Sequence, residues 1–235
     1  MRISNPTILI TGEIDDTLLN ETVSKGFVID VIPFIKTETI TTIAVKQAIE
    51  KILQLDATIV FTSGNAIEAV KENIQPIKPD WKIYCIGNTT RILVEKLFGK
   101  ASIIATANNA AELAEKIIAN KSDEEVYFFC SDKKRDELPA LLQENNIAVN
   151  EIEVYTTTIL HHIIQKKYDA ILFFSPSAVE GFFTKNDIDE RTILFAIGNT
   201  TANEIKKFSK NEVVINDEPG KKKLLDKTIE YFKSL

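Results

Sequence analysis

Histidine and closely spaced glycine are both scarce in this 235-residue sequence. The two histidines, His161 and His162, are adjacent, so on a helix or a strand their side chains point in different directions. That spacing excludes a zinc site that needs two histidines on one face. The eight glycines include no G-x-G pair, so the dinucleotide-binding fingerprint and the P-loop are both missing.

Positive charge is also limited, because 28 Lys and Arg residues face 34 Asp and Glu residues and the net charge is -6. Duplex nucleic acid is bound largely through phosphate neutralisation, so nucleic acid is not an expected partner. No apolar run is long enough for a membrane span or a signal segment. No heptad pattern calls for a dimer. The sequence therefore predicts a cytoplasmic monomer without membrane contact.

Two further local features are expected to be structural. Cys85 and Cys130 lie inside apolar runs, which favours buried, reduced thiols. The lysines at 221–223 are expected to form the solvated first turn of the last helix. Asp15, Asn88 and Asn199 precede helical patterns and are predicted N-caps. None of these features by itself indicates an activity.

Short β-rich runs alternate with amphipathic helical patterns along the whole chain, including a predicted helix at 160–167. Such alternation is typical of an α/β fold in which helices cover both faces of a parallel sheet. The pentapeptide Ile-Gly-Asn-Thr-Thr occurs at 86–90 and again at 197–201. Related segments precede both copies, Phe-Thr-Ser-Gly-Asn-Ala at 61–66 and Phe-Phe-Ser-Pro-Ser-Ala at 173–178. The chain therefore holds two similar units.

A weaker match relates the first strands of the chain to the segment around 126–152, so one unit is circularly permuted relative to the other. We predict two flavodoxin-like α/β domains with parallel five-stranded sheets, one inserted in the other. The inserted domain covers 38–154, and the discontinuous domain combines 1–34 with 160–235. The linkers at 34–40 and 154–160 are rich in β-branched residues and are expected to pair as a two-stranded β connector.

Ligands of open parallel sheets bind beyond the carboxyl ends of the strands. Small polar loops occupy those positions here, and each opens a helix whose free N–H groups and positive dipole end attract anions. The candidate binding residues in these loops are Ser63, Gly64, Asn65, Thr89, Thr90, Ser175, Ser177, Ala178, Asn199, Thr200 and Thr201. For each single loop the alternative is an ordinary N-cap. Their repetition favours a cleft for a ligand with many carboxylates.

Two more candidates stand outside those loops. Arg135 opens a predicted helix at 134–145 beside Ser131, where its guanidinium could bind a carboxylate bidentately; the alternative is a surface arginine. Tyr155 lies on the linker at 154–160, the second of the two segments where the chain crosses between the domains (the crossing segments). There it either faces a cleft or packs as a hinge aromatic. No nucleophile elbow or histidine-based triad can be assembled from this sequence.

Taken in order, the motifs resemble the uroporphyrinogen-III synthase family across essentially the whole chain. They are Phe-Thr-Ser-x-Asn-Ala, Ile-Gly-x-Thr-Thr, Arg-Asp-x-Leu, Val-Tyr-x-Thr, Phe-Phe-Ser-Pro-Ser-Ala-Val and the second Ile-Gly-x-Thr-Thr. The resemblance implies two α/β domains on a two-stranded connector, with the active site in the cleft between them. It also implies that the enzyme uses neither a metal nor an organic cofactor.

The implied reaction is the cyclisation of hydroxymethylbilane, a linear tetrapyrrole polycarboxylate, to uroporphyrinogen III. Water is lost and ring D is inverted, so the enzyme would be a hydro-lyase of heme biosynthesis. Tyr155 matches the family's tyrosine, a proton donor to the departing hydroxyl, and the polar loops match segments that hold carboxylates. A transient contact with hydroxymethylbilane synthase, the preceding deaminase, is a further expectation for an enzyme that uses its product.

One position departs from the family pattern. The first strand ends Thr11-Gly12-Glu13, where the family commonly has Thr-Arg. This departure favours one alternative, a divergent inactive relative that binds a tetrapyrrole or the preceding deaminase. The other alternative is an unrelated two-domain solute-binding module, which would also have two crossings and a cleft.

Overall fold

The computed structural model describes residues 5–74, 79–120, 125–216 and 220–234. The chain divides into two compact units, Met1–Lys36 with Thr158–Leu235 and the intervening Thr37–Thr157. In the described ranges, no helix has both the length and the apolar character needed to span a membrane. The elements in chain order are β1 (Thr7–Ile10), α1 (Asp16–Ser24), β2 (Val28–Val31), β3 (Ile35–Thr39), α2 (Ile43–Ile52), β4 (Thr58–Phe61), α3 (Gly64–Ile74), β5 (Lys82–Ile86), α4 (Asn88–Phe98), β6 (Ile103–Ala107), α5 (Ala110–Ala119), β7 (Glu125–Ser131), α6 (Glu137–Glu144), β8 (Ala148–Ile159), β9 (Ala170–Phe173), α7 (Pro176–Phe183), β10 (Ile193–Ala196), α8 (Asn199–Phe208), β11 (Val213–Ile215) and α9 (Lys221–Ser234).

The discontinuous unit contains a five-stranded sheet in the order β11-β10-β9-β1-β2, and its neighbouring strands pair in parallel. Leu9 points into a core with α7 and α8, whereas Ile8 and Ile10 point into a core with α1 and α9. Successive side chains of a strand alternate between the faces. Both faces of this sheet are therefore covered, as expected for its continuous apolar strands.

The inserted unit contains a six-stranded sheet in the order β3-β8-β7-β4-β5-β6. An aromatic cluster with Phe61, Trp81, Phe98 and Phe129 packs on one face against α2, α3 and α4, and α5 and α6 cover the other face. The sheet has one strand more than the five predicted. The additional strand is β3, which forms from the predicted linker at 34–40 and lies beside β8 at the sheet edge.

The crossing segments are held by backbone hydrogen bonds. Leu160 N donates to Phe34 O at 2.8 Å, and Ile40 N donates to Val154 O at 2.9 Å. Because the residue number rises along one segment as it falls along the other, the two segments run antiparallel. The β-branched composition of both segments suits such extended pairing.

The two sheets share one spatial order of strands once the permutation is taken into account. Reading β8-β7-β4-β5-β6 against β2-β1-β9-β10-β11 pairs each strand with its counterpart in the other unit. The sequence repeat relates the same strands. The similarity of the two halves therefore extends from short motifs to topology.

The predicted helix at 160–167 does not form. The buried side chain of Asn186 binds this segment instead, accepting from Ile164 N at 2.6 Å and donating to His162 O at 2.7 Å. These bonds replace helical ones and keep the segment extended. His161 and His162 are exposed, and the His162 ring packs edge-on against Phe34 with centroids 5.3 Å apart.

The two cysteines are buried and free, as predicted. Burial raises the pKa of the Cys85 thiol to about 11 and that of the Cys130 thiol to about 12. Both thiols therefore stay protonated at neutral pH and act as small apolar core residues.

Candidate functional site

The candidate loops lie at the carboxyl ends of parallel strands, in both units. After β4, Ser63 Oγ accepts a hydrogen bond from Asn65 N at 3.2 Å, and the Asn65 side chain is exposed. Gly64 begins α3, and a Cβ there would lie 2.8 Å from Leu93 Cδ1. Gly64 thus permits the close packing of α3 on α4, while Ser63 and Asn65 present polar groups at the strand end.

The two Ile-Gly-Asn-Thr-Thr loops correct the predicted caps. The residues at the N-cap positions of α4 and α8 are Gly87 and Gly198, and Asn88 and Asn199 are the first helical residues. No side chain of the described residues caps either helix. The first-turn N–H groups of α4 and α8 are therefore without a side-chain acceptor, which is the arrangement that binds anions at helix N-termini.

Four other helices, α1, α2, α5 and α7, are capped by side chains. Asp15, predicted as a cap, accepts from Leu18 N at 2.9 Å, and Asn109 accepts from Glu112 N at 2.8 Å. Within the described residues, α4, α6 and α8 have no side-chain cap hydrogen bond, whereas α1, α2, α5 and α7 have one. Of the three uncapped helices, α4 and α8 share the loop Ile-Gly-Asn-Thr-Thr.

The two threonines of each loop have different environments. Thr89 and Thr200 are exposed, whereas Thr90 and Thr201 are buried. Consecutive helical residues point about 100° apart, so one threonine of each pair faces outward and its neighbour packs against the sheet. Thr89 and Thr200 are therefore the members of each pair whose side chains are accessible from outside.

The glycines of the two loops are expected to respond differently to alanine. Gly87 has φ +83° and ψ 152°, whereas Gly198 has φ -179° and ψ 176°. The first conformation is one that essentially only glycine adopts, so Gly87→Ala should lower the free energy of unfolding by about 2 kcal/mol. Gly198→Ala should change it by less than about 0.5 kcal/mol, since extended backbone suits any residue. Urea unfolding of both variants measures the difference, and equal losses would contradict it.

In the loop after β9, a side-chain acceptor and a backbone donor bond to each other. Ser175 Oγ accepts from Ala178 N at 3.1 Å and caps α7, with Pro176 as the first helical residue. The Ser175 oxygen and the Ala178 N–H therefore satisfy each other, as an ordinary N-cap does. Ser177 is half-buried and is the remaining polar side chain of this loop.

Tyr155 lies beside the loop that follows β7. Ser131 is its partner in the β7–β8 register, which shifts at this point, and Asp132 accepts a hydrogen bond from Thr157 N at 2.8 Å. The Tyr155 side chain is 8% exposed and packs in the cluster that contains Phe129 and Val154. The Tyr155 ring therefore packs in the core of the inserted unit. Whether the residue also has a chemical role depends on the surroundings of its hydroxyl.

The Tyr155 hydroxyl has no hydrogen-bond partner within residues 5–74, 79–120, 125–216 and 220–234. No buried side-chain polar atom in those ranges lacks a partner, so this hydroxyl must reach the surface. Arg135 precedes α6, which begins at Glu137 and not at 134. Its side chain is exposed, and it forms no ion pair with any described residue.

The described residues contain no group of three or more His, Cys, Asp or Glu side chains that could hold a metal ion. The polar groups at the strand ends are hydroxyls, amides and N–H groups. Their chemistry is that of anion recognition, by hydrogen bonds and helix dipoles.

A family model described as uroporphyrinogen-III synthase HemD matches residues 16–226 of the 235-residue chain. The chain belongs to the uroporphyrinogen-III synthase family. This membership confirms the resemblance that the ordered motifs indicated, and it places the protein among the enzymes of tetrapyrrole biosynthesis.

Solved structures of the family have the same fold. The chain matches a mutant uroporphyrinogen III synthase from Thermus thermophilus with a TM-score of 0.67 and 13% identity, covering 97% of this chain and 99% of that one. It matches uroporphyrinogen-III synthetase from Helicobacter pylori with a TM-score of 0.63 and 15% identity, over 97% and 99% of the two chains. At this identity the match establishes the fold.

The structure places two cations, Arg91 and Lys221, near strand ends, and neither was among the candidates named from the sequence. Arg91 lies in the first turn of α4, where its Nε and Nη2 donate to Asn88 Oδ1 at 3.1 and 2.8 Å and its Nη1 contacts Glu95 Oε1 at 2.5 Å. In the other unit, Lys221 Nζ donates to Glu13 O at 2.6 Å. The position of Arg91 directly after Ile-Gly-Asn-Thr-Thr was a usable signal, whereas nothing local linked Lys221 to the end of β1.

Proposed function

We propose that the protein is a uroporphyrinogen-III synthase, a hydro-lyase that cyclises hydroxymethylbilane to uroporphyrinogen III with loss of water and inversion of ring D. The family match over 16–226 carries this proposal. The uncapped N-termini of α4 and α8 support it, because a polycarboxylate is the kind of ligand that such helix ends bind.

The main task of such an enzyme is to select one ring closure over another. Uncatalysed closure leaves ring D uninverted, so the substrate must be held in the bent conformation that leads to the inverted product. A flexible polyanion is best held at several points. We assign this role to the exposed or half-buried groups at the strand ends, which are Ser63, Asn65, Thr89, Arg135, Ser177, Asn199 and Thr200.

The remaining candidates act through the backbone in this proposal. Gly64 keeps α3 close to α4, and Ser175 with Ala178 fixes the first turn of α7. Thr90 and Thr201 pack beneath the uncapped helix ends. These residues position N–H groups rather than offering side-chain donors.

Tyr155 is the proposed proton donor. When it protonates the terminal hydroxyl of the bilane, the carbon–oxygen bond breaks and water leaves, and the electron-deficient carbon is attacked by ring D through a spiro intermediate. A hydroxyl that has no partner among the described residues, on a side chain held by a packed core, suits a general acid that must meet its substrate in one orientation.

Each unit is, in this proposal, a flavodoxin-like domain. The strand order β2-β1-β9-β10-β11 supports this assignment, because it is the 2-1-3-4-5 order of that fold, and the other sheet has the permuted equivalent. The domains would be 1–34 with 160–235 and 38–154, joined by the linkers at 34–40 and 154–160. We further propose a cytoplasmic monomer that contacts hydroxymethylbilane synthase transiently.

A coupled assay tests the activity. Hydroxymethylbilane is generated in place by its synthase, and the uroporphyrinogen isomers are separated with and without the protein. We expect the inverted isomer to dominate when the protein is present. If only the uninverted isomer forms, the proposed activity is wrong and the inactive-relative hypothesis replaces it.

A further inference from the structure

The first turn of α9 has an unfavourable charge pattern. Lys221, Lys222 and Lys223 are consecutive at a helix N-terminus, where the helix dipole is positive and each nearby cation costs up to about 1 kcal/mol. The positive charge of Lys222 is offset by an ion pair, in which its Nζ lies 2.9 Å from Glu21 Oε2. Lys221 has no carboxylate within ion-pair distance among the described residues. Helix stability therefore does not explain a lysine at position 221.

Lys221 is instead directed to the carboxyl ends of two neighbouring strands. Its Nζ donates to Glu13 O at 2.6 Å, beyond the end of β1, and lies 5.4 Å from the ring centroid of Phe174, which follows β9. β1 and β9 are adjacent in the sheet. The ammonium thus stands where an open parallel sheet binds its ligands.

Gly12 is part of the same arrangement. A Cβ at Gly12 would lie 2.9 Å from Phe174 Cδ2, so the absence of a side chain lets the Phe174 ring pack over the end of β1. The ring face in turn attracts the Lys221 ammonium. Gly12, Phe174 and Lys221 therefore form a packed set that places a cation at this strand end.

The ammonium retains capacity for an anion. An ammonium has three N–H donors, and one of them donates to Glu13 O. The contact with the Phe174 ring uses neither of the other two in a conventional hydrogen bond. Partial burial lowers the pKa of the Lys221 ammonium, and the carboxylates of Glu13 and Asp15 oppose that shift. The Asp15 carboxylate already accepts from Leu18 N. A partly desolvated cation with free donors binds a carboxylate more strongly than a fully hydrated one.

We propose that Lys221 is a substrate-binding residue that holds one carboxylate of the tetrapyrrole at the ends of β1 and β9. This inference rests on the proposed function. The neighbouring loop supports it, since Ser175 is occupied in capping α7 and Phe174 directly precedes it. Lys221, from α9, thereby supplies positive charge beside Gly12, where the segments 11–15 and 174–177 contain no Lys or Arg.

Three variants test the role of Lys221. Lys221→Met removes the charge and keeps the stem, Lys221→Arg keeps the charge, and Lys222→Met is the matched control on the same helical turn. Loss of a charged hydrogen bond made equally in the bound and transition states should raise KM about 10- to 100-fold and leave kcat unchanged. Lys221→Arg should stay within a few-fold of the wild type, and so should Lys222→Met.

A direct titration with uroporphyrin III, a stable porphyrin polycarboxylate, provides a readout independent of turnover. We expect Lys221→Met to bind it about tenfold or more weakly than the wild type and Lys222→Met to bind it equally. Lys221 and Lys222 are exposed residues, and changes of charge at such positions alter stability by about 1 kcal/mol or less. The melting temperatures of all three variants should therefore stay within a few degrees of the wild type, which separates a binding effect from misfolding.

The outcomes distinguish this inference from the proposed function. If the wild type makes the inverted isomer and Lys221→Met has wild-type KM and uroporphyrin III affinity, Lys221 has no binding role and the synthase activity stands. If the wild type makes only the uninverted isomer, the proposed activity fails, and the titration alone decides about Lys221. Weaker binding by Lys221→Met then supports a polycarboxylate site, while equal or absent binding overturns it.

Discussion

Replacing Tyr155 by phenylalanine is expected to lower kcat by about 100-fold or more, since general acid catalysis contributes factors of this size. KM and the melting temperature should stay near their wild-type values. The ring that packs with Phe129 and Val154 is retained, and the hydroxyl that is lost has no partner in the described part of the chain. Steady-state kinetics in the coupled isomer assay, together with thermal unfolding, measures both expectations.

Tyr168→Phe is the matched control for this experiment. Tyr168 is also buried, but its hydroxyl donates to Asp30 Oδ2 at 2.7 Å, where Lys166 Nζ also binds at 2.6 Å. Burial and this hydrogen bond raise the pKa of the Tyr168 hydroxyl. Its loss should cost about 1 kcal/mol of stability and leave turnover unchanged. Turnover of Tyr155→Phe at the wild-type rate would remove Tyr155 from the mechanism.

Gly181→Ala should lower the free energy of unfolding by about 3 kcal/mol, at the upper end of the range for overpacking a tight site. A Cβ at Gly181 would lie 2.9 Å from Ile159 Cγ2 and equally close to the backbone oxygens of Leu160 and Phe34. Leu160 N donates to Phe34 O, so neither segment can move without breaking that pairing. The clash would be relieved by displacing α7, which carries Ser177 and Ala178.

Gly198→Ala provides the comparison, because nothing lies within 4 Å of a Cβ at that position. Urea unfolding should show a large fall in midpoint for Gly181→Ala and almost none for Gly198→Ala, with equal m-values. If both variants had the wild-type midpoint, the close approach of α7 to the crossing segments would be refuted. The isomer assay on Gly181→Ala then reports whether displacing α7 also impairs turnover.

Much of the fold could be predicted from the sequence, because its signals are local. Apolar runs such as Ile8–Ile10 predict strands buried on both faces, and helical periodicity predicts the helices that cover them. The pairing of β3 with β8 was expected from the β-branched linkers at 34–40 and 154–160, but its joining the sheet of the inserted unit as a sixth strand was not. The extended segment at 160–167 was missed because it depends on a contact with a distant residue, Asn186.

The candidate loops were found by repetition, but their hydrogen bonding was not predictable. Asn88 was predicted as a cap, yet its side chain is bound by Arg91 and Gly87 occupies the N-cap position. A short polar side chain suits a cap or the first turn equally well in sequence, and the neighbouring guanidinium decides between them. Sequence reasoning likewise could not tell which threonine of each pair is exposed.

The sequence by itself determined the family, the α/β alternation and the two related halves, because ordered motifs and residue periodicity are properties of neighbouring residues. How the two related units differ in conformation was decided by the tertiary structure alone. One pentapeptide, Ile-Gly-Asn-Thr-Thr, has its glycine at φ +83° in one unit and -179° in the other. Lys221 and Glu13 meet although 208 positions separate them. Such contacts depend on which distant segments pack together, and the residues adjacent in sequence do not specify this.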